Sequence, residues 1–176
     1  MKTIILWVMC LFVGNEYVMS QESEDEEFKK NRISLVLGHS YLNLGFELGN
    51  KDVLSIPSFG FDYEYWFKPK FGVGIFADIE LISHKDAEQL HGGIIDREFP
   101  LVLTVDALWS PIKHLEFVFG PGVIFENGKV KDLIRVGLEY DLDLSHHWDV
   151  APSLFYDHAA DGISNISIGI GIGKRF

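Results

Sequence analysis

The chain has 176 residues, 47% of them hydrophobic and 23% charged, with a formal net charge of −11. That length fits one domain, and an acidic chain without a basic cluster excludes nucleic acid as a partner, because nothing is present to neutralise phosphates. The single cysteine, Cys10, lies in the N-terminal leader, so no disulfide or thiol chemistry is expected after it, and no later segment approaches the roughly 18 uncharged apolar residues of a membrane-spanning helix.

Met1 to Ser20 starts with Lys2, runs apolar from Ile4 to Val13 and ends Val18-Met19-Ser20, the layout of a secretory signal peptide with cleavage expected after Ser20. Cys10 sits inside the apolar run rather than after it, which argues against a lipoprotein anchor. Residues 21–31 carry an acidic run and then Lys29 and Lys30, with almost nothing to bury; a flexible acidic periplasmic lead-in is expected there, with Arg32 read among the same basic residues. The folded domain is expected over 32–176.

From Ile33 the sequence predicts eight β-strands. The first, about Ile33 to Leu48, alternates poorly, which predicts a bulge near Gly38 or Gly45. In the second, about Leu54 to Phe67, Phe59, Phe61, Tyr63 and Tyr65 share one face opposite Gly60, Asp62 and Glu64. The third, about Phe71 to Ser83, sets Val73, Ile75, Ala77, Ile79 and Leu81 against Gly72, Gly74, Phe76, Asp78 and Glu80. The fourth (Glu98 to Trp109), fifth (Leu115 to Glu126) and sixth (Leu133 to Leu142) repeat the contrast of a bulky apolar face with a glycine-rich, acidic one. The seventh, Trp148 to Tyr156, is the weakest, because Pro152 cannot donate to a ladder.

Short segments at Lys68-Pro69-Lys70, Ser110 to His114 and Leu144 to His147 read as periplasmic turns. They alternate with Gly49 to Asp52, Ser83 to Asp96, Asn127 to Lys131 and His158 to Gly162 at the other end. Tyr65, Trp66, Phe67, Trp109, Tyr140, Trp148 and Phe176 gather near strand ends, as interfacial aromatic girdles do. A soluble eight-stranded barrel with its apolar face inside is the structural rival. The apolar parity carries too many large side chains for an interior of that size, so the expected fold is an all-β, eight-stranded antiparallel up-and-down transmembrane barrel with lipid outside.

The eighth strand, Ile163 to Phe176, shows the pattern most purely: Ile166, Ile168, Ile170 and Ile172 alternate with Ser167, Gly169, Gly171 and Gly173, and the chain stops on Phe176. Here it resembles the small eight-stranded outer-membrane β-barrel family (OmpA transmembrane-domain and OmpX-like), whose members commonly end on a membrane strand with a terminal Phe. Lys174 departs from that family, which usually has an aromatic or apolar residue two before the end. The resemblance implies a cell outer membrane location after cleavage, outer-membrane lipid and the barrel-assembly machinery as partners, and Phe176 as the membrane-assembly signal.

Three candidate sites follow. Outer-membrane lipid A deacylases, which the chain resembles in size, place a His and a Ser two apart on one strand; His158 is followed by Ala160, and His39-Ser40 would point to opposite faces. In the long loop, His84, Glu88 and His91 would share a face of a short helix and suit a metal, though such loops are commonly just solvated. The inward parity carries Asp62, Glu64, Asp78, Glu80, Asp106, Glu116, Glu126, Glu139, Asp141, Asp149 and Asp157 against Arg135 and Arg175. A lumen charge network is therefore expected around Glu126, Arg135, Asp157, Asp106, Glu116, Glu139 and Asp141. In it Glu126 would oppose Arg135, with Asp157 beside them, and Asp106 would face Glu116. No catalytic residue, cofactor or metal is expected, and the sequence names no extracellular partner. The functional expectation is a non-enzymatic barrel with a structural or surface-interaction role and a lumen closed by side chains; the alternatives are a lipid A-modifying hydrolase and a small cation-selective channel.

Overall fold

The computed structural model describes residues 28–43, 53–81 and 99–176. The expected signal peptide, residues 21–27 of the lead-in, Leu44 to Leu48, the Gly49 to Asp52 turn and the whole Ser83 to Asp96 loop lie outside the described residues.

Eight long strands run β1 (Asn31–Asn43), β2 (Val53–Lys68), β3 (Phe71–Glu80), β4 (Leu101–Ile112), β5 (Leu115–Glu126), β6 (Lys129–Tyr140), β7 (Trp148–Ala159) and β8 (Ser164–Arg175). Each pairs antiparallel with its sequence neighbours, β1 pairs with β8, and the sheet closes as a barrel without an unpaired edge. Followed once round the barrel through Glu64, Gly74, Asp106, Arg135, Asp157 and Asn165, the register that starts at Arg32 lands on Leu42. That stagger is the shear that tilts the strands and lets eight of them enclose a core of side chains.

Period two decides the faces as the sequence predicts. Leu37 is 68% exposed and Ile170 58%, whereas Arg32 and Arg135 are 1% exposed inside. This inverts the arrangement of a soluble barrel and removes that rival. Glycine on the inner face makes room for the bulk beside it: a Cβ on Gly137 would stand 2.1 Å from the Phe155 ring.

Four details differ from expectation. The β1 register runs unbroken past Gly38 on both sides, so there is no bulge there; Val36 and Leu42 simply point inward, while Gly45 lies outside the described residues. Register shifts occur instead between Trp66 and Lys68 and between Trp109 and Ile112. Trp66 is no girdle residue: it shares the parity of Asp62 and Glu64 and is 3% exposed in the interior, while Tyr65, Phe67, Trp109, Trp148 and Phe176 are exposed outside. The β5–β6 connection is a two-residue turn, Asn127-Gly128, both with positive φ (47° and 71°), tighter than the expected Asn127 to Lys131.

At the end that carries the chain termini, Leu142–Asp143 extend the β6 side to pair with Val150 and Asp149, and a single 3-10 turn, Ser145–His147, leads into β7. Phe176 and Asn31 complete the closing seam by exchanging backbone hydrogen bonds of 2.9 and 3.2 Å.

Candidate functional site

The interior is stacked in layers, because each strand delivers an inward side chain every second residue and the shear brings different strands to one height. Nearest the termini, Arg32 from β1 is the hub. Its guanidinium donates to Asp149 from Nε (3.0 Å) and Nη2 (2.7 Å), pairs with Glu64, and lies 3.4 Å from Glu139 and 3.6 Å from Asp141. Arg175 pairs with Asp141 and lies 3.7 Å from Asp149. The indole N–H of Trp66 donates to Glu64 at 2.8 Å, and Glu116 is buried in the same group.

The next layer is apolar: Trp66, Phe76, Leu108, Val118 and Phe155. Phe76 and Phe155 meet edge to face with centroids 5.8 Å apart. An arginine covers each side, Arg175 over Trp66 and Arg135 over Phe155, so this layer separates two charged ones.

In the second charged layer Arg135 makes a two-pronged pair with Asp157 (2.8 Å from both Nε and Nη2) and meets Asp78 at 2.8 Å. Thr104 donates to Asp106, and Ser34 to Asp62 at 3.1 Å. Beyond it Asn165 donates to Glu80 at 3.0 Å, and Val102, Ile124, Leu133 and Ala159 form another apolar cluster. A cavity there between Leu42, Glu80, Asp157 and Asn165 holds about 10 Å³, the threshold for a single water.

The expected network residues thus fall into separate groups. Arg135 and Asp157 stand together with Asp106 nearby, while Glu116, Glu139 and Asp141 surround Arg32. Glu126 does not oppose Arg135: the tight turn sets it across from Lys129, and it lies 3.6 Å from Lys131, whereas Arg135 pairs in register with Gly120. Asp106 does not face Glu116 either; its carboxylate fills the space over Gly120. Arg32, grouped in sequence with the lead-in, is the residue that reading missed. Its signal was parity, since it lies two and four residues before the inward Ser34 and Val36.

Outside the lumen, His39 and Ser40 do point apart: Ser40 bonds Ser167 inside at 3.0 Å, and His39 lies 3.4 Å from Ser55 on the other face. His158, however, has a serine that the two-apart criterion could not see. Ser164 is its cross-strand partner, with Oγ 2.9 Å from His158 Nδ1 and 3.0 Å from the Tyr156 hydroxyl. Among the described residues no carboxylate bonds His158. In the adjoining turn Asp161 is held below the usual carboxylate range: its slight burial works the other way, but Lys131 Nζ at 2.9 Å and the Ile163 N–H at 3.1 Å prevail. The candidate loop residues His84, Glu88 and His91 lie outside the described residues.

A closed antiparallel barrel with an apolar exterior and a charged, packed interior has the fold of the small outer-membrane β-barrels. Solved structures of that kind align over most of this chain. Neisserial surface protein A matches with a TM-score of 0.56 at 8% identity over 83% of this chain and 97% of its own. The N-terminal barrel domain of Pseudomonas aeruginosa OprF matches at 0.53 and 9% identity over 85% of this chain and all of its own. Yersinia pestis Ail, the attachment invasion locus protein, solved with the heparin analogue sucrose octasulfate, matches at 0.50 and 13% identity over 85% of this chain and all of its own. No protein-family model matches the sequence, and no curated protein matches it.

Proposed function

We propose that this protein is a non-enzymatic barrel of the cell outer membrane with a structural or surface-interaction role and a lumen sealed by its own side chains. One observation carries this reading: apolar side chains cover the exterior, while inside two layers of arginines and carboxylates alternate with two apolar clusters. An exterior of that kind is stable only against hydrocarbon, and eight strands leave an interior that side chains fill. The longest connections, residues 44–52 and 81–100, both leave from the end opposite the termini, which suits contact with partners beyond the membrane. Assembly by the barrel-assembly machinery with Phe176 as the signal is part of the same reading, and the exposed Phe176 ring beside the closing seam supports it. The protein should fractionate with the outer membrane, require detergent for extraction and show no stable conductance in planar bilayers. Recovery in the soluble periplasm, or reproducible cation-selective steps, would refute the location or the seal respectively.

The contact between His158 and Ser164 favours a second reading, a lipid A-modifying hydrolase, since a nucleophile needs a base within hydrogen-bond reach. Lipid A mass spectra from cells with and without the protein decide it. A mass change lost on Ser164→Ala would establish the hydrolase, and identical spectra would leave the structural role.

A further inference from the structure

We propose that Glu64, Glu116 and Glu139 form a binding site for a hard divalent cation of calcium size, at the end of the lumen that carries the chain termini. The three carboxylates reach inward from β2, β5 and β6. One oxygen from each lies within 4.8 Å of the other two, and none of the three residues is more than 2% exposed.

Glu116 shows that the group is incomplete. Both of its carboxylate oxygens are buried with no hydrogen-bond partner among the described residues, whereas Glu64 is met by Arg32 and Trp66 and Glu139 by Arg32. A buried carboxylate without a donor is strongly disfavoured, so one whose oxygen sits against two other carboxylates calls for a positive charge among them. Arginine does not supply enough. Five carboxylates (Glu64, Glu116, Glu139, Asp141 and Asp149) share Arg32 and Arg175.

A cation can join three carboxylates that share so small a space. With metal–oxygen distances of about 2.3–2.6 Å, Ca²⁺ can hold oxygens up to about 5 Å apart, while Mg²⁺ at about 2.0–2.1 Å spans less. The donor set is all oxygen, without imidazole or thiolate, and so favours hard cations over zinc or copper. Oxygens of Glu64 that already accept a hydrogen bond keep a second lone pair for the ion. Asp141, 3.6 Å from Arg32, is the most exposed carboxylate of this group.

Trp66 provides the assay, because its indole donates to Glu64 and so lies against the site, while Trp109 and Trp148 are on the exterior. The folded full chain in detergent is titrated with Tb³⁺ and luminescence is excited through tryptophan. Sensitised emission should appear and be displaced by Ca²⁺ more readily than by Mg²⁺. Glu116→Gln should weaken binding about tenfold or more, Glu139→Gln should also weaken it, and Asp161→Asn, in a turn at the other end, should leave it unchanged. Trp66→Phe should remove the emission while Ca²⁺ still raises the thermal midpoint. Absence of sensitised emission from the folded wild type overturns the site. So does emission that persists unchanged in a folded Glu116→Gln or Glu139→Gln variant.

Discussion

Arg32 holds the terminal end of the lumen against its own charge. Four carboxylates lie within 4 Å of its guanidinium, and three of them, Glu64, Glu139 and Asp149, accept hydrogen bonds from it. Replacing it with a similarly long apolar side chain leaves those acids buried with one cation fewer, and uncompensated buried charge costs about 3–5 kcal/mol. Arg32→Met should therefore lower the unfolding free energy by that order, seen as a lower urea midpoint for loss of the heat-modifiable folded band, and Arg32→Lys should recover only part because an ammonium cannot reproduce the fork to Asp149. Adding Asp149→Asn to Arg32→Met should restore stability relative to Arg32→Met alone. A midpoint unchanged in Arg32→Met would mean that solvent, rather than arginine, already screens the group.

At the level of the strand and its turn, the β5–β6 hairpin shows what backbone conformation contributes. Gly128 has φ +71° and open space around its Cα, so a side chain there meets no atom and the cost is conformational alone. Gly128→Ala should destabilise the barrel by about 1–2 kcal/mol, the usual penalty of the left-handed region, and Gly162→Ala at φ +86° should do the same in the β7–β8 turn. Equal urea midpoints for the variants and the wild type would contradict this. The same hairpin marks the limit of what the sequence discloses. Strand faces are readable because alternation is local, so the outward isoleucines of β8 and the inward acids of β6 need no knowledge of partners. Register is not local: the choice between a two-residue and a longer loop at Asn127-Gly128 slides every pair along β6, and the turn observed sets Arg135 against Gly120 and not against Glu126. Contacts that depend on shear, such as Arg135 with Asp78 three strands away or Arg32 with Glu139, carry no sequence spacing at all. Arg32 and Trp66 were open to parity, but a neighbouring composition or an expected aromatic girdle spoke louder.

For the whole molecule, the question is which layer seals the lumen. Phe76 and Phe155 cross the barrel between the two arginine layers, and each ring lies over a glycine, Gly74 and Gly137, that has no side chain to take its place. Truncating a ring there leaves a void that its neighbours cannot fill, at a cost of about 3–5 kcal/mol per site. The void would open between charged layers in which carboxylates outnumber arginines, so water and cations should enter it rather than leave it dry. Phe155→Ala, which also uncovers Arg135, should therefore give planar bilayers flickering cation-selective steps where the wild type is silent, and Phe76→Ala combined with it should lengthen the openings. Arg135→Met added to Phe155→Ala should raise the cation selectivity further, by removing the positive charge beside the path. If the folded double variant stays silent, the seal lies instead in the second apolar cluster, Val102, Ile124, Leu133 and Ala159, and Ile124→Ala becomes the substitution that should open the barrel.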